Sequence, residues 1–596
     1  MSGGNGDSPR SLLARPPAGA LRLILFLVSF LVNAVLLWHF HDRYWYPTDE
    51  GFYAHIGERL LNGEVLNRDI QDIHPGYINF LHAVTFRLFG LDMLSLRYPL
   101  VLASLLLGGF TYAVLQRRDV VLAALASVAI NALGVVQFVD PTANWYCLPL
   151  TVFLAWWMLW LPVGHPARLP GAGFIVGVLT LFRHLSGVWV AMGLIVLALL
   201  ERSSDARGRN VLLARALVAT MLTAIVGYLV LTTVLEPGGM LLMAAWPIAI
   251  LVRMLVNARA PNADVAAIVA TISLGAAAAA LPLVLYHAYH GSLAIWLTDM
   301  VFAAGGETEL PFFRGGWYGA LPIVGAYQAI SSFDPVRIVN GLYWVVLPLL
   351  SAVNGVLIMR ALRSNVRAGE LVLPILGSFY ALVALLLEGP LYLYYTVGLS
   401  LASVVWLGAT GSRSRRAVLA VTTAALTVIA IVFHAGQSRF RTPVQILAGD
   451  RVSNVWARGE GGLDRCSLQL DRADRELYGR LVRVIQAETR PDESILALPN
   501  DAELYFLASR RNPSRFFNAA LGITNNQELN DVMSVLTGRP PRLVAYRPDD
   551  KYNTEAIRQV MSYVRSTYEH FATIGGLELY RLRSPRDGGT AAPPLP

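Results

Sequence analysis

The apolar positions of this 596-residue chain fall into long blocks separated by short polar stretches. The first block lies near 20–39. Others follow near 95–115, 119–138, 145–161, 171–200, 211–235, 240–257, 264–287, 340–361, 371–387, 391–409 and 416–434. An α-helix needs about 20 apolar residues to cross the roughly 30 Å of bilayer hydrocarbon, so each block predicts a membrane span. The block at 171–200 is too long for one span and is interrupted by Arg183-His184 and Ser186-Gly187. It reads as two short spans meeting on one face with Arg183 and His184 between them, for a total of about 13 spans.

The polar stretches divide the rest. Residues 40–94 form a long loop with two amphipathic pieces. One is at 52–61 and stops at Asn62-Gly63; the other is at 77–89 and stops at Gly90. Helices of this kind lie along a membrane surface. A second large loop covers 288–339. Residues 435–583 alternate strand-like 494–498, helix-like 502–508, strand-like 542–546, helix-like 554–568 and strand-like 577–582, which predicts a small soluble α/β domain. The ends, 1–18 and 584–596, are rich in Gly, Pro, Ser and Arg and read as disordered tails. The predicted fold is a polytopic α-helical membrane domain over 19–434 followed by a C-terminal α/β domain.

Charge decides the sidedness. Arg117-Arg118, Arg168, Arg202/Arg207/Arg209, Arg253/Arg259, Arg360/Arg363/Arg367 and Arg413/Arg415/Arg416 fall in loops on one side. Asp140, Glu236 and Glu388 fall on the other. The positive-inside bias puts the arginine-rich side and the N-terminus in the cytoplasm and the C-terminal domain outside. Reading 171–200 as one span would reverse every later loop. Arg10, Arg15 and Arg22 precede the first block as in a signal peptide. Trp38-His39-Phe40-His41 follows where small residues would mark cleavage, so the first span is read as uncleaved.

Composition agrees: 55% of residues are hydrophobic and 15% charged, against about 25% charged in soluble domains, and the mean hydropathy is +0.50. The net charge of +8 would suit nucleic acid, but its arginines sit in short inter-span loops where they set topology, which excludes that partner. Lys551 is the only lysine. Cys147 lies in an apolar block and Cys466 in a polar one, so neither a disulfide nor a cysteine metal site is expected. The 435–583 segment has no glycine-rich phosphate loop and no metal-ligand spacing.

Four groups of residues can carry chemistry. Asp49-Glu50 stands just after the first span, between Tyr46 and Tyr53. A carboxylate beside an apolar surface gains basicity and can accept a proton from an attacking hydroxyl; an ordinary hydrated pair at a helix end stays open as the alternative. Arg183-His184 between two short spans matches a lipid-borne phosphate, or else snorkels to the interface. His74-Pro75-Gly76-Tyr77 opens the second amphipathic helix, whose first N–H groups can hold an anion, or is simply a turn. In Asp140-Pro141-Thr142-Ala143-Asn144-Trp145-Tyr146, Asn144 and Trp145 can line a sugar site or belong to an interfacial aromatic belt. Tyr53 and His55 are further candidate substrate contacts. A site on the outer face has no access to ATP, so an activated sugar must reach it on a lipid carrier.

The order Thr48-Asp49-Glu50-Gly51-Phe52-Tyr53, His74-Pro75-Gly76-Tyr77, Leu88-Phe89-Gly90 and Arg97-Tyr98-Pro99 resembles the GT-C glycosyltransferases that use polyprenyl-phosphate sugars. Protein O-mannosyltransferases and lipid A aminoarabinose transferases are the similar branches. The resemblance implies Asp49 as catalytic base with Glu50 assisting, and Arg183, His184 and His74 on the donor phosphate. It further implies a polyprenyl-phosphate-sugar donor, a glycan, lipid or protein acceptor in the cell envelope, and a multi-pass place in a bacterial plasma membrane. The family often has Lys-Pro-Pro where this chain has His74-Pro75-Gly76. Some relatives bind a divalent metal near the acidic pair, so that ion stays open here, although no residue pattern demands one. The alternatives are a lipid or solute transporter or flippase, which internal repeats and mid-bilayer charges would favour, and a non-catalytic scaffold.

Overall fold

The computed structural model describes residues 19–43, 45–201, 203–204, 209–231, 237–257, 260–261, 264–303, 318–364, 366–385, 391–435, 456–457, 463–518, 522–523 and 525–583. Both tails and part of the 288–339 loop, including Glu307, Glu309, Arg314 and Trp317, lie outside them.

Every apolar block is helical over most of its described residues. Ten helical stretches among the described residues are long and apolar enough to cross a membrane, from Gly19–Phe40 to Arg413–Val432. Arg168–Phe182 and Tyr392–Gly408 are shorter and equally apolar. Ala143–Trp160 is the aromatic-rich remaining one. The first helix shows how such a segment divides its surface. Leu23, Leu27, Leu31 and Val35, spaced four apart, are exposed on one face, the stripe that meets lipid. Asn33 on the other face donates to the Ser127 carbonyl at 3.1 Å and accepts from Asn131 at 2.8 Å. Such side-chain bonds join helices where lipid supplies no partner.

The 168–201 stretch is two helices, Arg168–Phe182 and His184–Glu201, broken at an extended Arg183 (φ −152°, ψ 111°). They reverse direction. A Cβ on Gly187 would come within 2.4 Å of the Thr180 Cα, although seven residues of straight helix would hold these two about 10 Å apart. At the far end Arg168 Nη1 meets Glu201 Oε2 at 2.5 Å, so the start of one helix lies beside the end of the next. Arg183 therefore occupies the tip of a hairpin. The hairpin packs on Val265–Tyr289 through Gly173, Gly177 and Gly275, where any side chain would strike backbone.

Arginine-rich loops gather at one end of the bundle. Arg118 pairs with Glu370 and stacks over Trp406 with 4.3 Å to the ring centre. Arg416 reaches Asp119 at 3.4 Å. Three loops distant in sequence thus share one face, as a common side of the membrane requires.

The first amphipathic helix is longer than the apolar spacing indicates. It runs Pro47–Leu61, so Asp49 and Glu50 lie inside its first turn rather than ahead of it. Proline suits the first helical position because its missing N–H has no partner there anyway, and acids in the first turn meet the positive end of the helix dipole. Consecutive helical residues point about 100° apart, and the two carboxylates accordingly diverge. Glu50 turns inward to Arg97, with Oε1–Nη2 at 2.6 Å and Oε2–Nε at 3.0 Å. Both side chains are fully buried. Arg97 also donates to the carbonyls of His41 at 3.0 Å and Arg43 at 2.6 Å, which bolts the connection after the first span to the start of Arg97–Leu115. The second amphipathic helix is Tyr77–Phe89.

The C-terminal domain has a four-stranded sheet: β1 (Ile495–Leu498), β2 (Leu543–Tyr546), β3 (Tyr568–Ile574) and β4 (Leu577–Leu582), in the order β1-β2-β4-β3. β1 and β2 are parallel and the other pairs antiparallel. Helices Glu503–Ala508, Asn526–Gly538 and Glu555–Thr567 belong to it, with Arg472–Glu488 before them. β3 escapes periodicity because it is an edge strand, buried only at its two ends and exposed or half-buried between them. The domain sits on the first amphipathic helix. Arg465 pairs with Glu58 at 2.7 Å, Arg59 donates to the Ser514 carbonyl at 3.0 Å, and Trp45 donates to Asp474 at 3.2 Å.

Removing one partner of a buried ion pair strands the other charge. Arg97→Met should therefore destabilise the protein by about 3–5 kcal/mol, and Glu50→Gln/Arg97→Met by less than Arg97→Met alone. Thermal unfolding in detergent checks this; equal losses in the single and double variants would show that the pair is not the anchor.

Candidate active site

The other carboxylate of the first turn faces a different environment. Asp49 is solvent-exposed, and it borders one space, the chamber, with Asp140 and His74. Its direct neighbour is Asp140, from the loop between Val120–Gln137 and Ala143–Trp160. Asp140 is fully buried, and neither of its oxygens has a donor partner. Two carboxyls in contact can hydrogen-bond only through a shared proton. Burial first, then the charges of Asp49 and Glu50, push Asp140 well above the usual carboxylate range. Burial also raises Asp49, while the hydrogen bond from Asp140, the Lys551 ammonium and His74 pull it back. The pair titrates as a unit: burial and like charge raise both acids, Asp140 the more strongly.

A guanidinium also lies in the surroundings of Tyr53. The Arg183 guanidinium lies over the Tyr392 ring at 5.5 Å. Arg183 closes one helix, its N–H donating to Leu179 at 3.0 Å. Its carbonyl accepts from Gly187 at 3.1 Å to open the next, so its backbone has little freedom. Tyr53 ties the two sides together. Its phenol feels Asp140, Asp49 and Arg183 together, and its ring lies 5.9 Å from His74 and 5.0 Å from His82. His74 is held by the buried Asp72: its backbone N–H donates at 3.0 Å and Nδ1 at 2.8 Å to the same carboxylate oxygen. A carboxylate only accepts, so Nδ1 carries the hydrogen and Nε2 is left for the chamber. His184 is half-buried at the head of its helix with Nδ1 unpartnered.

Unpartnered buried polar atoms gather here. Besides Asp140 they include Asn144 Oδ1, the Tyr146 hydroxyl and both ring nitrogens of His82, whose imidazole burial pushes down to about 3 and so leaves neutral. Buried polar atoms ordinarily find partners, and a concentration of orphans indicates bound water or ligand.

Several residues singled out in the sequence stand elsewhere. Glu50 is committed to Arg97 and lies off the chamber. His55 is buried against the C-terminal domain, stacked on Tyr505 at 4.6 Å and beside Asn512 at 3.5 Å; burial drives its pKa well below the usual value. It belongs to the docking interface, because its position two helical steps past Tyr53 turns it away. Trp145 is core: its indole donates to the Phe138 carbonyl at 2.9 Å and its ring meets Tyr395 at 4.5 Å. Asn144 is buried with its side-chain oxygen unpartnered. Asp49, Tyr53, His74, Arg183 and His184 are the ones brought together. Asp140 and Asp72 were passed over. The available signal for Asp140 was an acid directly before a proline between two apolar blocks; for Asp72 it was an acid two residues before a histidine. Among the described residues no group of three or more His, Cys, Asp or Glu could hold a metal ion.

No family model matches the chain, and no curated protein does. Two solved structures resemble it over nearly their whole length, both of ArnT from Cupriavidus metallidurans at 14% identity. One is bound to undecaprenyl phosphate, with a TM-score of 0.39 and coverage of 96% of this chain and 100% of that one. The other is the apo state, with a TM-score of 0.39 and coverage of 95% and 98%.

The shared proton makes a direct prediction. Dicyclohexylcarbodiimide attacks protonated carboxyls in apolar sites, so Asp140 should be modified at higher pH than an ordinary aspartate, whose range is about 4. Asp49→Asn removes the like charge that keeps the proton on Asp140, so modification should retreat to lower pH. Mass spectrometry of the labelled peptide reads the result; an unmoved profile in Asp49→Asn would separate the two acids.

Proposed function

We propose that this protein is a membrane glycosyltransferase of the GT-C type. It moves a sugar from a polyprenyl-phosphate donor to an acceptor hydroxyl outside the cytoplasm. The observation that carries the reading is the gathering of Asp49, Asp140, His74 and Arg183 around Tyr53, with the His74 ring 5.9 Å from the Tyr53 ring. A base and a leaving-group stabiliser must both stand near the sugar's anomeric carbon.

Asp49 accepts the proton of the acceptor hydroxyl as its oxygen bonds to the anomeric carbon. The bond from that carbon to the phosphate oxygen breaks, and the electron pair leaves with the polyprenyl phosphate. Attack from the side opposite the phosphate inverts the anomeric centre. Arg183 takes the growing phosphate charge, with His74 and His184 beside it. Asp140, by holding its proton, donates a hydrogen bond to Asp49 and fixes the direction of its free oxygen. Glu50 serves as an anchor through Arg97 rather than as a second base. The arginine-rich end of the bundle is cytoplasmic, which puts chamber and C-terminal domain on the outer side of a bacterial plasma membrane.

Asp49→Asn should cut sugar transfer from a synthetic lipid-phosphate donor by about a hundredfold or more. Undecaprenyl phosphate binding should survive in that variant and fall by about tenfold in Arg183→Gln. The donor and acceptor are identified by profiling lipid-linked glycans in a strain lacking the protein, where the unused donor accumulates. Near-normal turnover by Asp49→Asn sinks the assignment, and lipid scrambling without glycosylated product would favour a flippase.

A further inference from the structure

Of the histidines among the described residues, His74 alone is paired with a carboxylate. The partner, Asp72, has no accessible side-chain surface. One of its oxygens accepts from the His74 backbone N–H at 3.0 Å and from the His74 ring at 2.8 Å. The other accepts from the Asn79 amide. Asn67 donates to the Asp72 backbone carbonyl at 2.8 Å and to Asp299 at 3.0 Å, and Arg515 of the C-terminal domain grips that Asp299 at 2.8 Å. The chain on either side of His74 is pinned as well. The Gln71 N–H donates to the Arg515 carbonyl at 3.0 Å, and the Trp296 indole donates to the Pro75 carbonyl at 2.9 Å. Asp72 and His74 therefore meet in a setting with little room to move.

The His74 ring is committed on one side only. Nδ1 carries its hydrogen toward Asp72, and Nε2 has no protein partner among the described residues, on a side chain that is 16% exposed. In a neutral ring held this way, Nε2 presents a lone pair. A phosphate oxygen also presents lone pairs, and two acceptors do not bind each other. A proton must enter between them, and Nε2 is the nitrogen placed to take it. The resulting imidazolium donates at both ends, to Asp72 inside and to the phosphate outside. A carboxylate at hydrogen-bond distance stabilises that cation. Asp72 has no other cation on its oxygens among the described residues; its remaining donors are a backbone N–H and the neutral Asn79 amide. The other titratable groups that face His74 are Asp49 and Tyr53 on the Pro47–Leu61 helix, His82 on Tyr77–Phe89 and His184 at the hairpin tip. Asp72 alone among them hydrogen-bonds the ring.

We propose that Asp72 is a positioning residue for the donor phosphate: it holds His74 with Nε2 toward the chamber and supplies the negative charge that lets this nitrogen take up a proton as the phosphate binds. The inference rests on His74 standing at the phosphate in the transferase reading. It makes carrier binding proton-linked, so that above the pH where the free ring titrates, affinity falls by about tenfold per pH unit.

Calorimetric titration of the full-length protein in nanodiscs with undecaprenyl phosphate reads the proton. A pH series run in two buffers of different ionisation enthalpy gives the protons taken up on binding. At its maximum the uptake should exceed that of His74→Gln by about one proton. Asp72→Asn keeps the shape of the site, because the Asn79 amide oxygen has no partner and that amide can turn to suit. In this variant the excess should move to lower pH by about one unit or more. An uptake profile in Asp72→Asn that matches the unsubstituted protein overturns the proposal even where affinity falls, since Asp72 would then be a brace only. Binding without any excess over His74→Gln overturns it too. A second measurement needs no carrier. In ¹⁵N-histidine-labelled protein, with His74 assigned by its loss in His74→Gln, the ring at alkaline pH should carry its hydrogen on Nδ1; a hydrogen on Nε2 overturns the proposal. The unfolding midpoint of Asp72→Asn checks its fold, and where that falls the ring signals and the proton excess of the unsubstituted protein decide. If the unsubstituted protein binds no carrier, the transferase reading fails and the phosphate role falls with it, whereas binding without the proton excess sinks the Asp72 assignment alone.

Discussion

A guanidinium with no access to water holds the first amphipathic helix to the membrane bundle. Arg97 gives its donors to Glu50 and to the carbonyls of His41 and Arg43. A buried charge so fully matched tolerates little movement, since any shift leaves a donor or acceptor stranded in low dielectric. The 100° step of the helix then does the rest. With Glu50 locked inward, Asp49 is presented to the chamber at a fixed angle.

Around that anchor the chamber is assembled from parts far apart in sequence. Asp140 comes from an inter-span loop, Arg183 from the tip of a helical hairpin, and His74 from a turn braced by Asp72. Each is set by local backbone or by a buried partner. Preorganisation of this sort is what electrostatic catalysis needs, because dipoles and charges already in place do not have to reorganise as charge develops. The enclosed setting strengthens every one of these interactions relative to water.

The C-terminal domain is part of this arrangement. It buries His55 against Tyr505, presses the Glu503 backbone on Gly51, and pairs Arg465 with Glu58. These contacts fall on the helix that carries Asp49, so the domain bears on the position of the acid. A glycine at position 51 is required by that approach, because any side chain there would push the domain off the helix.

Much of the fold was legible in the pattern of apolar blocks, since lipid obliges each spanning segment to satisfy its own backbone and so to be a long apolar helix. The split at Arg183-His184 was legible for the same reason, being a pair of charges where hydrocarbon tolerates none. Asp49 stood out because it follows the first span and is flanked by aromatics. Its partner did not. Glu50 is adjacent in sequence and diverges in space, while Asp140 is 91 positions away and meets it. Trp145 and His55 looked like ligands because sequence lists side chains without saying which way they face. Chain chemistry alone determined which segments enter the membrane and which residues can hold charge there, because those are local costs of solvation. Which charges meet, and so which acid keeps a proton and which can take one, was decided by tertiary packing, since Coulomb interaction depends on distance through space.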